Sequence, residues 1–193
     1  MPEFSRLDAL QDIIIVKPRR FEDARGFFSE TYNADAFAKG GITDTFVQDN
    51  HSLSKARGTI RGLHFQSAPR AQGKLVRCAR GRLLDVFVDI RPGSKTFGQH
   101  GQIEICAEIG LQIYIPAGFA HGFCTLEDNT EIVYKVTDFY SAAHDAGIKF
   151  DDADLGIDWP FAEAESVISD KDQMLPSFAA FCREHGVSAG ATL

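Results

Sequence analysis

One histidine sits inside an apolar run that reads as a β-strand: His64 in RGLHFQ, Arg61 to Gln66. An imidazole titrates near pH 6.5, so His64 could be a catalytic base, a metal ligand or a hydrogen-bonded core residue. Taken alone, the core reading is the commonest. Other residues could join it in chemistry. Tyr134 and Tyr140 are evenly spaced in EIVYKVTDFY, which puts them on one face if a strand runs through both. A phenol there either packs or hands over a proton. Arg25 and Arg61 flank glycines beside apolar strands, a setting that suits phosphate binding better than a solvated surface. Lys74 follows Gly73 and could equally be a strand-end lysine. Asp172 lies three residues after Ser169, so it also fits a loose capping box. Strict alternation puts Arg61 and His64 on opposite faces of their strand. For both to reach one ligand, Gly62 should mark a bulge, or Arg61 must act around an edge or across a subunit boundary.

Several chemistries find no support. Neither GxGxxG nor GxxxxGK[ST] occurs, so the usual phosphate-cradling loops are absent. GxSxG is missing too, which argues against an α/β-hydrolase nucleophile. Phe65 and Gln66 follow His64, so the HxH spacing of metal-binding jelly rolls is not met. The six histidines (His51, His64, His100, His121, His144 and His185) are scattered, and three convergent ligands cannot be assembled from them. The formal net charge of −7 argues against a nucleic-acid binder but leaves room for a small anionic ligand held by a few arginines.

The elements that must position these residues are mostly strands. A chain of 193 residues suits one domain with a sizeable core. Sixteen phenylalanines can bury a large apolar area in it. Short β-runs follow one another from GTIRGLHFQ through GKLVRCARG, RLLDVFVDIRP, HGQIEICAE, LQIYIPAG and AHGFCTLED to EIVYKVTDFY. In RLLDVFVDI, Leu84, Val86, Val88 and Ile90 alternate with Asp85, Phe87 and Asp89, the period of a strand with one buried and one mixed face. Such density with little intervening helix indicates a sandwich or barrel. DIIIVKP, GFFSETYN and FVQDNHS add shorter strands. NADAFAKGG reads as a short helix capped by Asn33 and ended by Gly40 or Gly41. SDKDQMLPSFAAFCREHG reads as a turn and then a helix, with Ser177 as cap and Gly186 as stop. One β domain over 1–186 with helical trim, and a loose tail over 187–193, is the expectation. Cys78, Cys106, Cys124 and Cys182 form no CxxC pair and read as free buried thiols of a reducing cytoplasm. MPEFSRLDALQD is no signal peptide, and no run reaches the roughly 18 apolar residues of a membrane span. A cytoplasmic protein with no membrane partner is expected.

An ordered set of blocks adds a resemblance. DARGFFSETYN, FVQDNHSLSKARGTIRGLHFQ, GKLVRCARGRLLDVFVDIRPGSKTFG, IPAGFAHGFCTLED, EIVYKVTDFYSAAHDAGIKFDDADLGIDWP and SDKD run in sequence from about Phe21 to Asp172. Together they resemble the dTDP-4-dehydrorhamnose 3,5-epimerases, cofactor-free enzymes with an all-β, cupin-like jelly roll and short peripheral helices. The resemblance implies His64 as general base, Asp172 as its partner, Tyr134 as proton donor and Lys74 near the substrate's keto oxygen. It implies substrate contacts from Arg25, Glu30, Gln48, Asn50, Arg61, His121 and Lys171, and stacking of Tyr140 on thymine. Asp145 stands where the family pattern has Glu, and its shorter carboxylate would meet the ligand differently. A dTDP-4-keto-6-deoxyhexose substrate, a homodimer, no cofactor and no metal are likewise implied. The chemistry is coherent: a histidine base, an oriented carboxylate, a cation for the enolate oxygen and an acid on the opposite face. The tyrosine would serve best if nearby cations lowered its pKa. Three alternatives stay open: a single-position epimerase at C3 or C5, a non-catalytic sugar-nucleotide binder, and a metal-dependent enzyme on the same scaffold.

Overall fold

Alternating apolar residues fold the strand-dense middle of the chain into two facing antiparallel sheets. The computed structural model describes residues 1–187. Six strands form one sheet in the order β1 (Glu3–Arg6), β2 (Ile14–Lys17), β10 (Gln112–Ile115), β7 (Lys74–Arg80), β12 (Thr130–Val136) and β5 (Gln48–Ser54). Five form the other in the order β13 (Asp145–Gly147), β6 (Ile60–Gln66), β11 (Phe119–Thr125), β8 (Arg82–Asp89) and β9 (His100–Cys106). A separate hairpin pairs β3 (Arg20–Asp23) with β4 (Gly26–Ser29). The architecture is a cupin-like jelly roll.

The inward rows of both sheets make the core. Val76, Cys78, Ile113, Ile115 and Ile132 from the larger sheet meet Leu83, Phe87, Ile105, Phe119 and Phe123 from the smaller. At roughly 25 cal/mol per Å² of buried apolar surface, this interdigitated layer is the main stabilising term. Outside the five-stranded sheet, Leu63, Phe65, Val86, Val88 and Ala120 pack under Ile148, Leu155, Phe178, Phe181 and Cys182. Outside the larger sheet, Phe37 and Ile42 cover Ile14, Val16, Leu75 and Tyr114.

The closed sandwich corrects the reading of RLLDVFVDI. Both faces of β8 are buried, and Asp85 and Asp89 are fully so. The row of Val86, Val88 and Ile90 lies under the C-terminal third, read as trim, while the row of Asp85, Phe87 and Asp89, read as mixed, turns inward with Phe87 in the core between the sheets. Asp89 survives there because Arg91, Ser94 and Thr96 hydrogen-bond its carboxylate. Those contacts outweigh the upward push of burial and hold its pKa below the ordinary value.

The local helix signals hold. Asn33 caps α1 (Ala34–Lys39) by accepting from the Ala36 amide, and Gly40 ends it. Ser177 caps α3 (Phe178–Glu184) through the Ala180 amide. The expected turn before it contains α2 (Asp170–Gln173), capped by Ser169. All four cysteines are buried and free. The expected tail lies outside the described residues except for Val187, which packs beside the outer cluster. Among the described residues, no helix is long and apolar enough to cross a membrane.

Candidate active site

Between the sheets, at the end left open by the core, lies a cavity of about 600 Å³. Eleven of the thirteen residues singled out from the sequence line it: Gln48, Asn50, Arg61, His64, Lys74, His121, Tyr134, Tyr140, Asp145, Lys171 and Asp172. Such a volume suits a small-molecule ligand.

Arg61 and His64 share the cavity because β6 is bulged. His64 pairs with His121 and Arg61 pairs with Phe123, so three steps on β6 match two on β11. The extra residue switches the inward row from odd to even positions. Gly62 carries the bulge at φ 129°, and its peptide link to Leu63 is cis. A Cβ on Gly62 would lie 2.5 Å from Gly122 Cα and 2.9 Å from the His121 carbonyl oxygen. Gly62→Ala should therefore destabilise the protein by about 1–3 kcal/mol through overpacking, with a further penalty for the positive φ. Urea unfolding of the variant against wild type measures this.

His64 lies within 2.8 Å of Asp172, Nε2 to Oδ1. Asp172 Oδ2 accepts the Gly62 amide at 3.2 Å. Burial pushes the Asp172 carboxyl up, but the contacts with His64 and the Gly62 amide outweigh it and hold the group below the usual carboxylate range. Half of the capping box forms, with Ser169 as the cap, and the Asp172 side chain serves the site instead. The Asp172 backbone amide donates to Ser169 Oγ while its carboxylate points to His64. With Nε2 turned to Asp172, Nδ1 is the nitrogen left to take a proton.

Lys74, from the larger sheet, is buried and donates to the His64 carbonyl at 3.0 Å. Burial lowers its pKa to about 8, against the opposing pull of Asp85 and Asp145. His121 meets Asp85 at 2.6 Å, Nε2 to Oδ1. Burial dominates at His121 and lowers its pKa despite that carboxylate, so the ring is held neutral. Asp85 was not singled out from the sequence. Its one legible signal was a carboxylate beside Phe87 on the mixed row of an alternating strand. Its Oδ2 is buried without a hydrogen-bond partner among the described residues.

Tyr134 stands on β12, in the sheet opposite His64. Its pKa is raised, not lowered as the sequence suggested. Burial outweighs the Arg61 charge, and Asp145 adds to the rise. The phenol therefore keeps its proton at neutral pH, which suits a donor. Tyr140 does not continue the Tyr134 face, because β12 ends at Val136. It reaches the rim on a loop held from both sides. Gln48 Oε1 accepts its amide at 3.0 Å, and Gln66 accepts the Ser141 amide at 2.7 Å. Gln66 is a second residue the sequence reading missed. Asp145 Oδ2 accepts from Lys171 at 2.6 Å and from the Tyr140 hydroxyl at 3.3 Å. The Asp145 contact raises the Lys171 pKa.

Arg25 and Glu30 are not brought to this cavity. Arg25 is exposed on the β3–β4 hairpin and pairs with Asp23, and Glu30 is exposed beside Asn33. Arg20 ties the hairpin to the body through the Ala107 and Glu108 carbonyls and covers the Phe27 ring at 4.1 Å. Among the described residues, no group of three or more His, Cys, Asp or Glu is placed to hold a metal ion.

The jelly roll and a cavity walled by both sheets, with the His64–Asp172 pair lining it, define a site for acid–base chemistry on a small molecule, and kinship makes it that of an isomerase acting on carbohydrates. The chain belongs to the dTDP-4-dehydrorhamnose 3,5-epimerase family, whose model matches residues 8–180. It is 51% identical over 169 residues to the dTDP-4-dehydrorhamnose 3,5-epimerase of Sinorhizobium fredii, covering 88% of this chain and 86% of the relative. The Bacillus anthracis enzyme of that name, solved with TDP and PPi bound, superposes with a TM-score of 0.89 at 44% identity, covering 92% of this chain and all of that one. The dTDP-6-deoxy-D-glucose-3,5-epimerase of Legionella pneumophila, in complex with dTDP-4-keto-L-rhamnose, gives a TM-score of 0.89 at 39% identity, over 95% and 96% of the two chains.

Proposed function

We propose that this protein converts dTDP-4-dehydro-6-deoxy-D-glucose to dTDP-4-dehydro-L-rhamnose by exchanging protons at C3 and C5. The observation that carries the reading is the placement of the His64–Asp172 pair and Tyr134 on opposite sheets around one cavity. His64 Nδ1 takes the proton from a carbon next to the C4 ketone, and the C–H electron pair moves onto the C4 oxygen. Asp172 stabilises the resulting imidazolium. The Lys74 ammonium stabilises the enolate oxygen. Tyr134 then returns a proton to the carbon from the other face. Solvent then takes the proton from His64 and returns one to Tyr134, and the same sequence at the second carbon completes the double inversion. No step calls on a cofactor or metal.

Tyr140 offers its ring to the thymine, since its backbone is fixed by Gln48 and its side chain is 59% exposed at the rim. Arg61 and Lys171 supply charge for the diphosphate, and Gln48, Asn50, His121 and Asp145 supply further polar contacts. Arg25 and Glu30 enter this scheme through a homodimer, in which the hairpin of one subunit reaches the other's cavity. The hairpin has an apolar surface to cover: Phe27 and Phe28 are 58% and 71% exposed. The four free, buried thiols agree with a reducing, cytoplasmic location.

Proton NMR of dTDP-4-keto-6-deoxyglucose with the enzyme in D₂O tests the reading. Deuterium is expected at both C3 and C5. Exchange at one carbon would make the protein a single-position epimerase, and exchange at neither would overturn the substrate assignment.

A further inference from the structure

The helix that carries Asp172 has no apolar anchor of its own. It is four residues long, Asp172 is its only buried residue, and Met174 at its end is 78% exposed. The apolar contact next to it comes from Leu175, which lies against Gly147. The segments on either side are held, by the Val167–Thr59 bridge and Ile168 before it and by the Pro176 carbonyl after it, whereas the helix's own side chains reach the body through two adjacent charged residues. Asp172 reaches His64 and the Gly62 amide on β6, and Lys171 reaches Asp145 on β13. These two strands are neighbours: Asp145 pairs with Gln66 and Gly147 pairs with His64. The helix is thus pinned at two points to one pair of strands.

We propose that Asp145 is a positioning residue for the reaction: through Lys171 it sets where Asp172 holds the His64 imidazole. The proposal rests on the acid–base reading above and extends it. Asp145 is suited to the task. Its carboxylate lies on a strand paired directly with the one that bears the base, and its side chain is 18% exposed while that of Lys171 is 62% exposed. The anchored member is the acid, and the member it restrains is the lysine on the short helix. The same oxygen accepts from Tyr140, so the rim loop and α2 share one anchor.

A carboxylate that only touches ligand would act on substrate affinity. One that places the dyad acts on turnover and on the free enzyme. Asp145→Asn should lower kcat by about tenfold to a hundredfold, the scale expected when a base is misplaced by a fraction of an ångström to 1 Å. It should also shift or broaden the His64 ring ¹⁵N resonances in the ligand-free protein. Lys171→Met, at an exposed position, releases the same tie from the other side and should give the same two changes. Asp145→Glu keeps the charge and should recover most of kcat. The proposal fails if both Asp145→Asn and Lys171→Met leave kcat and the free-enzyme His64 signals as in wild type and raise only KM. If Asp145→Asn does not fold, the Lys171→Met result decides alone. The NMR arm needs no turnover, so a wild-type protein inactive on the keto sugar would sink the substrate assignment and still leave the tie to be decided.

Discussion

His64→Ala loses deuterium exchange at both C3 and C5, by about 10²–10⁴-fold, the contribution expected of a positioned general base. The argument rests on placement. His64 pairs with a carboxylate that burial pushes up and that hydrogen bonds hold below its ordinary pKa. A charged partner gives the imidazolium somewhere to form. The substitution leaves the buried Asp172 carboxylate with one partner fewer, which should cost about 1–3 kcal/mol of stability. Asp172 retains the Gly62 amide, so the fold should survive. Rates at the two carbons are read separately by NMR, with urea unfolding as the control. Loss at one carbon and retention at the other would mean that the second carbon has its own base. His121, paired directly opposite His64 on β11, would then be the group to test.

Lys74→Met should separate stability from activity. Burial lowers the Lys74 pKa from an ordinary 10.5 to about 8. Below pH 8 the folded protein carries a buried ammonium that the unfolded chain would hold in water. The gap corresponds to about 3 kcal/mol of folding free energy at neutral pH. The sign follows from proton counts. Between pH 8 and 10.5 the unfolded chain binds more protons than the folded one, so wild-type stability rises through that window. Methionine removes the penalty at similar volume. The variant should therefore unfold at higher urea than wild type at pH 7, with the difference shrinking by pH 10. Exchange should fall by about 10²–10³-fold, the cost of losing one donor to a developing oxyanion. In wild type, exchange should decline as pH rises through about 8 and the ammonium is lost. A variant less stable than wild type at pH 7 would show that Asp85, Asp145 and the bond to the His64 carbonyl together more than offset the burial of this charge.

The residues that could be placed from the sequence were those whose cause is local. Asn33 and Ser177 cap helices because a side-chain oxygen reaches an amide three residues on. The strands β6 to β12 follow from alternation and turn residues. Gly62 could be read as a bulge because Arg61 and His64 otherwise point apart, and the register shift opposite β11 meets that requirement. Tyr140 was misplaced because alternation does not say where a strand ends. Both faces of β8 proved buried because the Phe87 row turns toward the larger sheet while residues 148–182, far along the chain, cover the Val86 and Val88 row.

What the sequence by itself determined was therefore a strand-dense sandwich or barrel, its short caps and the kinds of residue available for acid–base work. Ordered motif blocks, spread over most of the chain, then named the right family. Tertiary structure alone decided which of those residues meet. Asp172 reaches His64 across 108 residues of chain, and Asp85 reaches His121 across 36. It also decided their charge states, since the Lys74 and Tyr134 shifts come chiefly from burial in the closed sandwich. The physical reason is the same in each case. Hydrogen-bond propensity and side-chain period act within a few residues, whereas desolvation and long-range pairing exist only once the two sheets have closed on each other.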